Sequence, residues 1–158
     1  MAKSPREIAN ERQDREQAAL HHAIGYFIFW FSQLEFTIKA RLAGALQLDE
    51  DLFDIIIGPY DFAMLCTVTE QTLMRGASAE VKKAIKKYFD QCRALNQQAR
   101  IIVAHGSWTY AGARHVSRNT LKANRYFAKP EELRKQADIA RRLMALMMVL
   151  EQPPEKKS

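Results

Sequence analysis

Residues 20–46 read LHHAIGYFIFWFSQLEFTIKARLAGAL. Within them Leu20, Ile24, Phe27, Phe31, Leu34, Ile38 and Leu42 recur at steps of three and four, which lays an apolar stripe along one amphipathic helix running to about Leu46. Ile28 and Trp30 widen that stripe. Upstream, Ser4-Pro5-Arg6-Glu7 combines an N-cap, a proline at the first helical position and a glutamate for a capping box, so a helix starts near Pro5. Downstream, the run from Leu52 to Ile57 is short and stops at Gly58-Pro59, and Asp61 caps a helix reaching about Met74.

Gly76 and Ser78 mark a turn and a new cap. Val81, Ile85, Tyr88 or Phe89, Cys92, Leu95, Ala99 and Ile102 then stripe one long helix that ends at His105-Gly106, approaching about 40 Å at about 1.5 Å per residue. The segment Ser107 to Phe127 is rich in Trp, Tyr, Thr, Val and Arg, with Gly112 and Asn119 as turn formers, and predicts a small irregular hairpin. Pro130-Glu131-Glu132 opens a last helix, striped by Leu133, Ala137, Ala140, Met144 and Met147 to about Leu150. Met144, Met147 and Met148 are read as core or dimer-interface filler. The expected fold is all-α: an up-and-down bundle of about four to five helices with a short irregular or hairpin insertion before the last one. One domain is expected over residues 1–152, followed by a disordered tail, 153–158, behind Pro153-Pro154.

The chain of 158 residues is 47% hydrophobic and 27% charged, which suits a single domain with its own core and argues against a multidomain enzyme. Its net charge of +6 is unevenly spread. Residues 1–74 carry six basic against eleven acidic side chains, and residues 75–142 carry sixteen against five. A local basic excess favours RNA or another polyanion as partner. Cys66 and Cys92 are the only cysteines and lie in no CxxC pair, so neither a disulfide framework nor a metal site is expected, and a reducing cytoplasm fits best. The N-terminus does not read as a signal peptide, and the longest apolar run, Ala23 to Phe31, is nine residues, far below the roughly 20 that span a bilayer.

Gly-rich phosphate loops, GxSxG and HExxH are absent, and no pair of carboxylates stands out, so no cofactor is expected. What remains is Arg100-Ile-Ile-Val-Ala-His105-Gly106 at the end of the long helix. Five steps along an α-helix place Arg100 and His105 about 140° apart around it and about 7.5 Å apart along it. They share no face, yet both can reach an anion lying off the helix end. A guanidinium binds phosphate bidentately, and an imidazole, with its ordinary pKa of about 6.5, moves a proton at neutral pH. RNA suits such a site without a metal, because its 2′-hydroxyl supplies the nucleophile. One histidine is half of an acid–base pair, and a two-fold homodimer would bring a second copy of Arg100 and His105 to one cleft. The alternative is structural: Glu35 and Arg100 forming a buried ion pair between the first and third long helices.

The run Asn96-Gln-Gln-Ala-Arg100-Ile-Ile-Val-Ala-His105-Gly106-Ser-Trp108 resembles the HEPN superfamily signature, an Arg followed after four to six residues by His, often continued as His-Gly. The upstream helix bearing Trp30-Phe-Ser-Gln-Leu-Glu35 is also similar to the early helix of such domains. The resemblance implies a HEPN-like bundle and a homodimer whose paired Arg100 and His105 form a composite, metal-independent endoribonuclease site. It also implies the company of toxin-antitoxin and phage-defence systems, with a protein antitoxin as a possible partner. Active members commonly carry Asn, Asp or His directly after the Arg, where this chain has Ile101. Non-catalytic binding or scaffold members, with nucleotide, RNA or protein partners, are therefore the alternative reading. Asn96, one turn before Arg100, is a candidate to supply the missing polar contact, with Glu35 as a second supporting residue.

Trp108, Tyr110, Arg114, Arg118 and Lys122, joined by His115, Arg125 and Tyr126, offer a basic and aromatic surface for single-stranded RNA, where stacking contributes about 1–3 kcal/mol per base. The bland reading is a solvated loop over a small aromatic cluster. His21 and His22 have no Cys or acid at ligand spacing and are read as surface or interface residues.

Overall fold

The computed structural model describes residues 4–117 and 119–150. In chain order the elements are α1 (Pro5–Ala45), α2 (Glu50–Ile56), α3 (Phe62–Met74), α4 (Ala79–Leu95), a π-helical turn (Asn96–Arg100), α5 (Ile101–His105), strands β1 (Ser107–Thr109), β2 (Gly112–Val116) and β3 (Ala123–Tyr126), and α6 (Pro130–Val149). The tail at 153–158 and Arg118 lie outside the described residues.

The helix starts are the ones that local chemistry dictates. Ser4 accepts from the Glu7 backbone N–H, and the Glu7 carboxylate accepts in return from the Ser4 backbone N–H at 2.7 Å, a reciprocal capping box. Those bonds hold the Glu7 carboxyl below its usual range, with Ser4 as the cause. Asp61 caps α3 through the Met64 N–H at 2.8 Å, and Ser78 caps α4 through the Val81 N–H.

Helix α1 packs most extensively against α6 and also against α3, which in turn packs on α4. Its inward stripe is Leu20, Ala23, Phe27, Phe31, Leu34, Ile38 and Leu42. Ile24 is only half-buried, with Ala23 taking the inward place, and Ile28 points into solvent and does not widen the stripe. Trp30 is half-buried beneath the Arg141 guanidinium, 5.3 Å from the ring centroid, a cation–π contact. The long third helix buries Ile85, Tyr88, Phe89, Cys92, Leu95, Ala99 and Ile102, as its periodicity requires. On α6 the methionines divide: Met147 is buried, Met144 half-buried and Met148 exposed, while Leu143, just before them, is a core residue.

Cys66 and Cys92 are fully buried. A hydrogen bond with Cys66, then burial, pushes the Cys92 thiol upward, and burial does the same to the Tyr88 phenol. Both groups therefore stay protonated, which suits a core role and not a nucleophile. Tyr88 donates its hydroxyl to the Leu143 carbonyl at 3.0 Å, tying α4 to α6.

Two expectations are corrected here. The protein is mainly helical but not all-α: residues 107–126 form a three-stranded antiparallel sheet in the order β1-β2-β3. A two-stranded hairpin is marginal in water, and a third strand with a helix to pack on makes it stable. Ala113, Trp108 and Phe127 supply that apolar contact. The long helix is also not uniform, because the Ile101 N–H donates to the Asn96 carbonyl five residues back. Such π-turns occur often at functional sites.

Gly112 sets the sheet's first turn. Its φ is +101°, and a Cβ there would stand 2.3 Å from the Tyr126 carbonyl oxygen. Gly112→Ala is expected to lower the melting midpoint by about 3–10 °C, since the backbone conformation alone disfavours a side chain by roughly 1–3 kcal/mol. An unchanged midpoint in a thermal melt would refute this account of the turn.

Candidate functional site

Helix α5 ends where the Gly106 N–H donates to the Ile102 carbonyl at 2.8 Å. Gly106 then turns extended, with ψ at 147°, and the chain enters β1 at Ser107. A Cβ on Gly106 would approach the Ala113 Cβ to 3.1 Å. The missing side chain thus lets β2 lie against the end of α5. Trp108 fastens the same junction: its Nε1 donates to the Val103 carbonyl at 3.2 Å, and its ring stacks on Phe127 with centroids 6.3 Å apart.

This junction opens a groove of about 750 Å³. Its polar lining includes Gln97 on the π-turn, His105 on α5, Arg114 and His115 on β2, Asn119 in the β2–β3 loop and Tyr126 on β3. His105 is exposed at the mouth of the last helical turn, and His115 is half-buried.

The sheet register sorts the basic residues. Arg114 stands directly opposite Arg125, and Ser107 stands on the other side of Arg114. Both arginines are exposed, and neither has an ion-pair partner among the described residues. Directly opposed like charges destabilise a strand pair. Among the described residues no carboxylate lines the His105 groove.

The expected site residues separate in space. Arg100 is half-buried and does not line the groove that His105 lines. The cause is geometric: Arg100 closes the π-turn with helical backbone angles and α5 follows directly from Ile101 to His105, so the two residues stay well apart around the helix and nothing folds the arginine back. The Glu35–Arg100 ion pair is not formed. Glu35 instead meets Lys39 at 3.0 Å, one turn along its own helix, because an i,i+4 partner is always within reach. Asn96 is buried at the start of the π-turn, beneath the groove's Gln97 and away from solvent. The structure brings neither supporting residue to His105.

The proposed RNA surface divides as well. Trp108 is spent on the α5–sheet junction, and with the exposed Tyr110 it lines a separate groove of about 320 Å³ against Gln17, Leu20, His21 and Ile24 of α1. Arg114 lines the His105 groove, and Lys122 is exposed at the β2–β3 loop, its carbonyl accepting from Ser117. The juxtaposition of His105 with His115 was missed by sequence reasoning, as were Gln97 and Asn119. The available signal was the hairpin itself: a strand starting two residues after His105 and returning through Gly112 lays position 115 back toward the helix end.

Among the described residues no helix is long and apolar enough to cross a membrane, and no group of three or more His, Cys, Asp or Glu side chains is arranged to hold a metal ion. No family model, curated protein or solved structure matches the chain.

Proposed function

We propose that the protein is a HEPN-type, metal-independent endoribonuclease that works as a homodimer, with His105 as a proton carrier and Arg100 and Arg114 as phosphate ligands. The observation that carries the reading is the exposed His105 opening on a groove that holds Arg114 and no carboxylate. In the reaction the RNA 2′-hydroxyl attacks the adjacent phosphorus and its proton passes to a base. The P–O5′ bond breaks, the leaving oxygen takes a proton from an acid, and the products end in a 2′,3′-cyclic phosphate and a 5′-hydroxyl. The role of Arg100 requires a second copy of the chain, since Arg100 does not line the His105 groove within its own protomer.

The full chain incubated with single-stranded RNA and excess chelator is expected to release 2′,3′-cyclic phosphate ends, and intact RNA would end the reading. Arg100→Ala is expected to cut that rate by about 10²-fold, the usual effect of losing one transition-state ligand, with the melting midpoint moved by only a few degrees. A second reading, RNA binding without cleavage, is favoured by the absence of Arg100 from the groove and by the opposed Arg114 and Arg125. It predicts instead that Arg100→Ala lowers stability and leaves RNA affinity unchanged.

A further inference from the structure

We infer that His115 is the partner of His105: the two imidazoles of one protomer, which line one groove, act on a single phosphate. This rests on the proposed ribonuclease site but differs from its dimeric form, because both proton carriers then belong to one chain.

The argument is built from placement. His105 ends α5 and His115 is the fourth residue of β2, and both line the same groove. Side chains alternate across a strand, so His115 shares the inward face of β2 with Ala113, while Arg114 sits between them on the other face. Ala113 is fully buried against the junction and close to Gly106. His115 is thereby carried one step further along the same face, toward the groove. Opposite it in register is Asn124, a neutral residue. The titratable and charged groups lining the groove are His105 from α5, Arg114 and His115 from β2, and Tyr126 from β3; the π-turn contributes Gln97 and the β2–β3 loop Asn119. Ile101, Ile102 and Val116 complete the wall, and among the described residues no carboxylate lines it, which suits a phosphodiester.

Cleavage of RNA needs a base for the 2′-hydroxyl and an acid for the departing 5′-oxygen in the same turnover. Two histidines in one groove supply both: one starts neutral and takes the first proton, the other starts protonated and gives the second. After the cyclic phosphate leaves, proton exchange with water restores the pair. Within one protomer a lone His105 cannot hold both states at once.

The test uses the full chain and uridine 3′-monophosphate as the probe. Its imidazole proton resonances, assigned with single His→Gln variants, are followed through pH with and without the probe. A phosphate dianion favours the charged imidazole, so the midpoints of His105 and His115 should both rise while those of His21 and His22 stay put. His115→Gln should weaken the probe by about tenfold or more and reduce cleavage by about 10²-fold, converting a bell-shaped pH profile into one with a single limb. A rise at His105 alone, or a His115→Gln protein that binds and cleaves like the parent, overturns the pair and leaves the ribonuclease reading intact. Paired midpoint rises in a protein that never cleaves RNA uphold the pair as a phosphate site and overturn the ribonuclease reading instead.

Discussion

His105→Gln should leave a folded protein that no longer cleaves RNA, with kcat/KM reduced by about 10²–10⁴-fold, the span attributed to one positioned acid or base. Glutamine keeps a side chain of similar reach and a hydrogen-bonding end but cannot carry a proton at neutral pH. The residue is exposed and no described side chain depends on it for a hydrogen bond or ion pair. Exposed substitutions of this kind stay within about 0.5 kcal/mol. Thermal melting should therefore move by about 2 °C or less. The measurement is the initial rate of cyclic-phosphate formation in chelator, taken beside the melting curve. An undiminished rate would remove His105 from the chemistry. A collapse of the melt would mean that its part is structural, and the groove would then have to be read without it.

Phe27→Ala should be the most damaging substitution in the first helix, at about 3–5 kcal/mol for a phenylalanine removed from a packed core. Phe27 is fully buried, and its ring lies 5.8 Å from that of Phe31, which in turn meets Phe62 of α3 at 4.6 Å. The truncation opens a void in the layer where α1 meets its neighbours. For a chain of this length the melting midpoint should fall by roughly 10 °C or more. Phe29 provides the control. It is two residues away, of the same type and on the same helix, yet 54% exposed, so Phe29→Ala should stay within about 0.5 kcal/mol. Equal losses at the two positions would show that α1 presents a different face to the core.

The helical frame was readable because its signals are local. Capping at Ser4, Asp61 and Ser78 depends on residues three apart, and all three caps form. The stripe on α1 needs only a period of 3.6, and apart from Ile24, whose inward place Ala23 takes, its expected residues from Leu20 to Leu42 are buried. Ile28 failed because it lies at the margin of that stripe, where the neighbour's position decides burial. Met144 and Leu143 exchanged roles on α6 for the same reason.

The groove was only half legible. His105 was singled out by its helix-terminal position and by its resemblance to a known signature, and it lines the groove. Arg100, five residues before it, does not, and Glu35 satisfies itself with Lys39. Basic and aromatic letters between 107 and 126 looked like one surface, but strand alternation sends Trp108 inward to Phe127 and Arg114 outward opposite Arg125. No periodicity short of a known register separates these two directions, since a shift by one residue exchanges every face.

Amphipathic spacing, caps and glycine turns are properties of neighbouring residues, so the chain alone determined where its helices begin, which side of each meets the core, and that an excursion interrupts the bundle before the last helix. Whether that excursion has two strands or three, and that it returns His115 to the end of α5 while Arg100 faces elsewhere, was decided only in three dimensions. The reason is physical: strand pairing and the closure of β2 onto Gly106 join residues through backbone hydrogen bonds and packing, and these bonds look alike whatever side chains the strands carry.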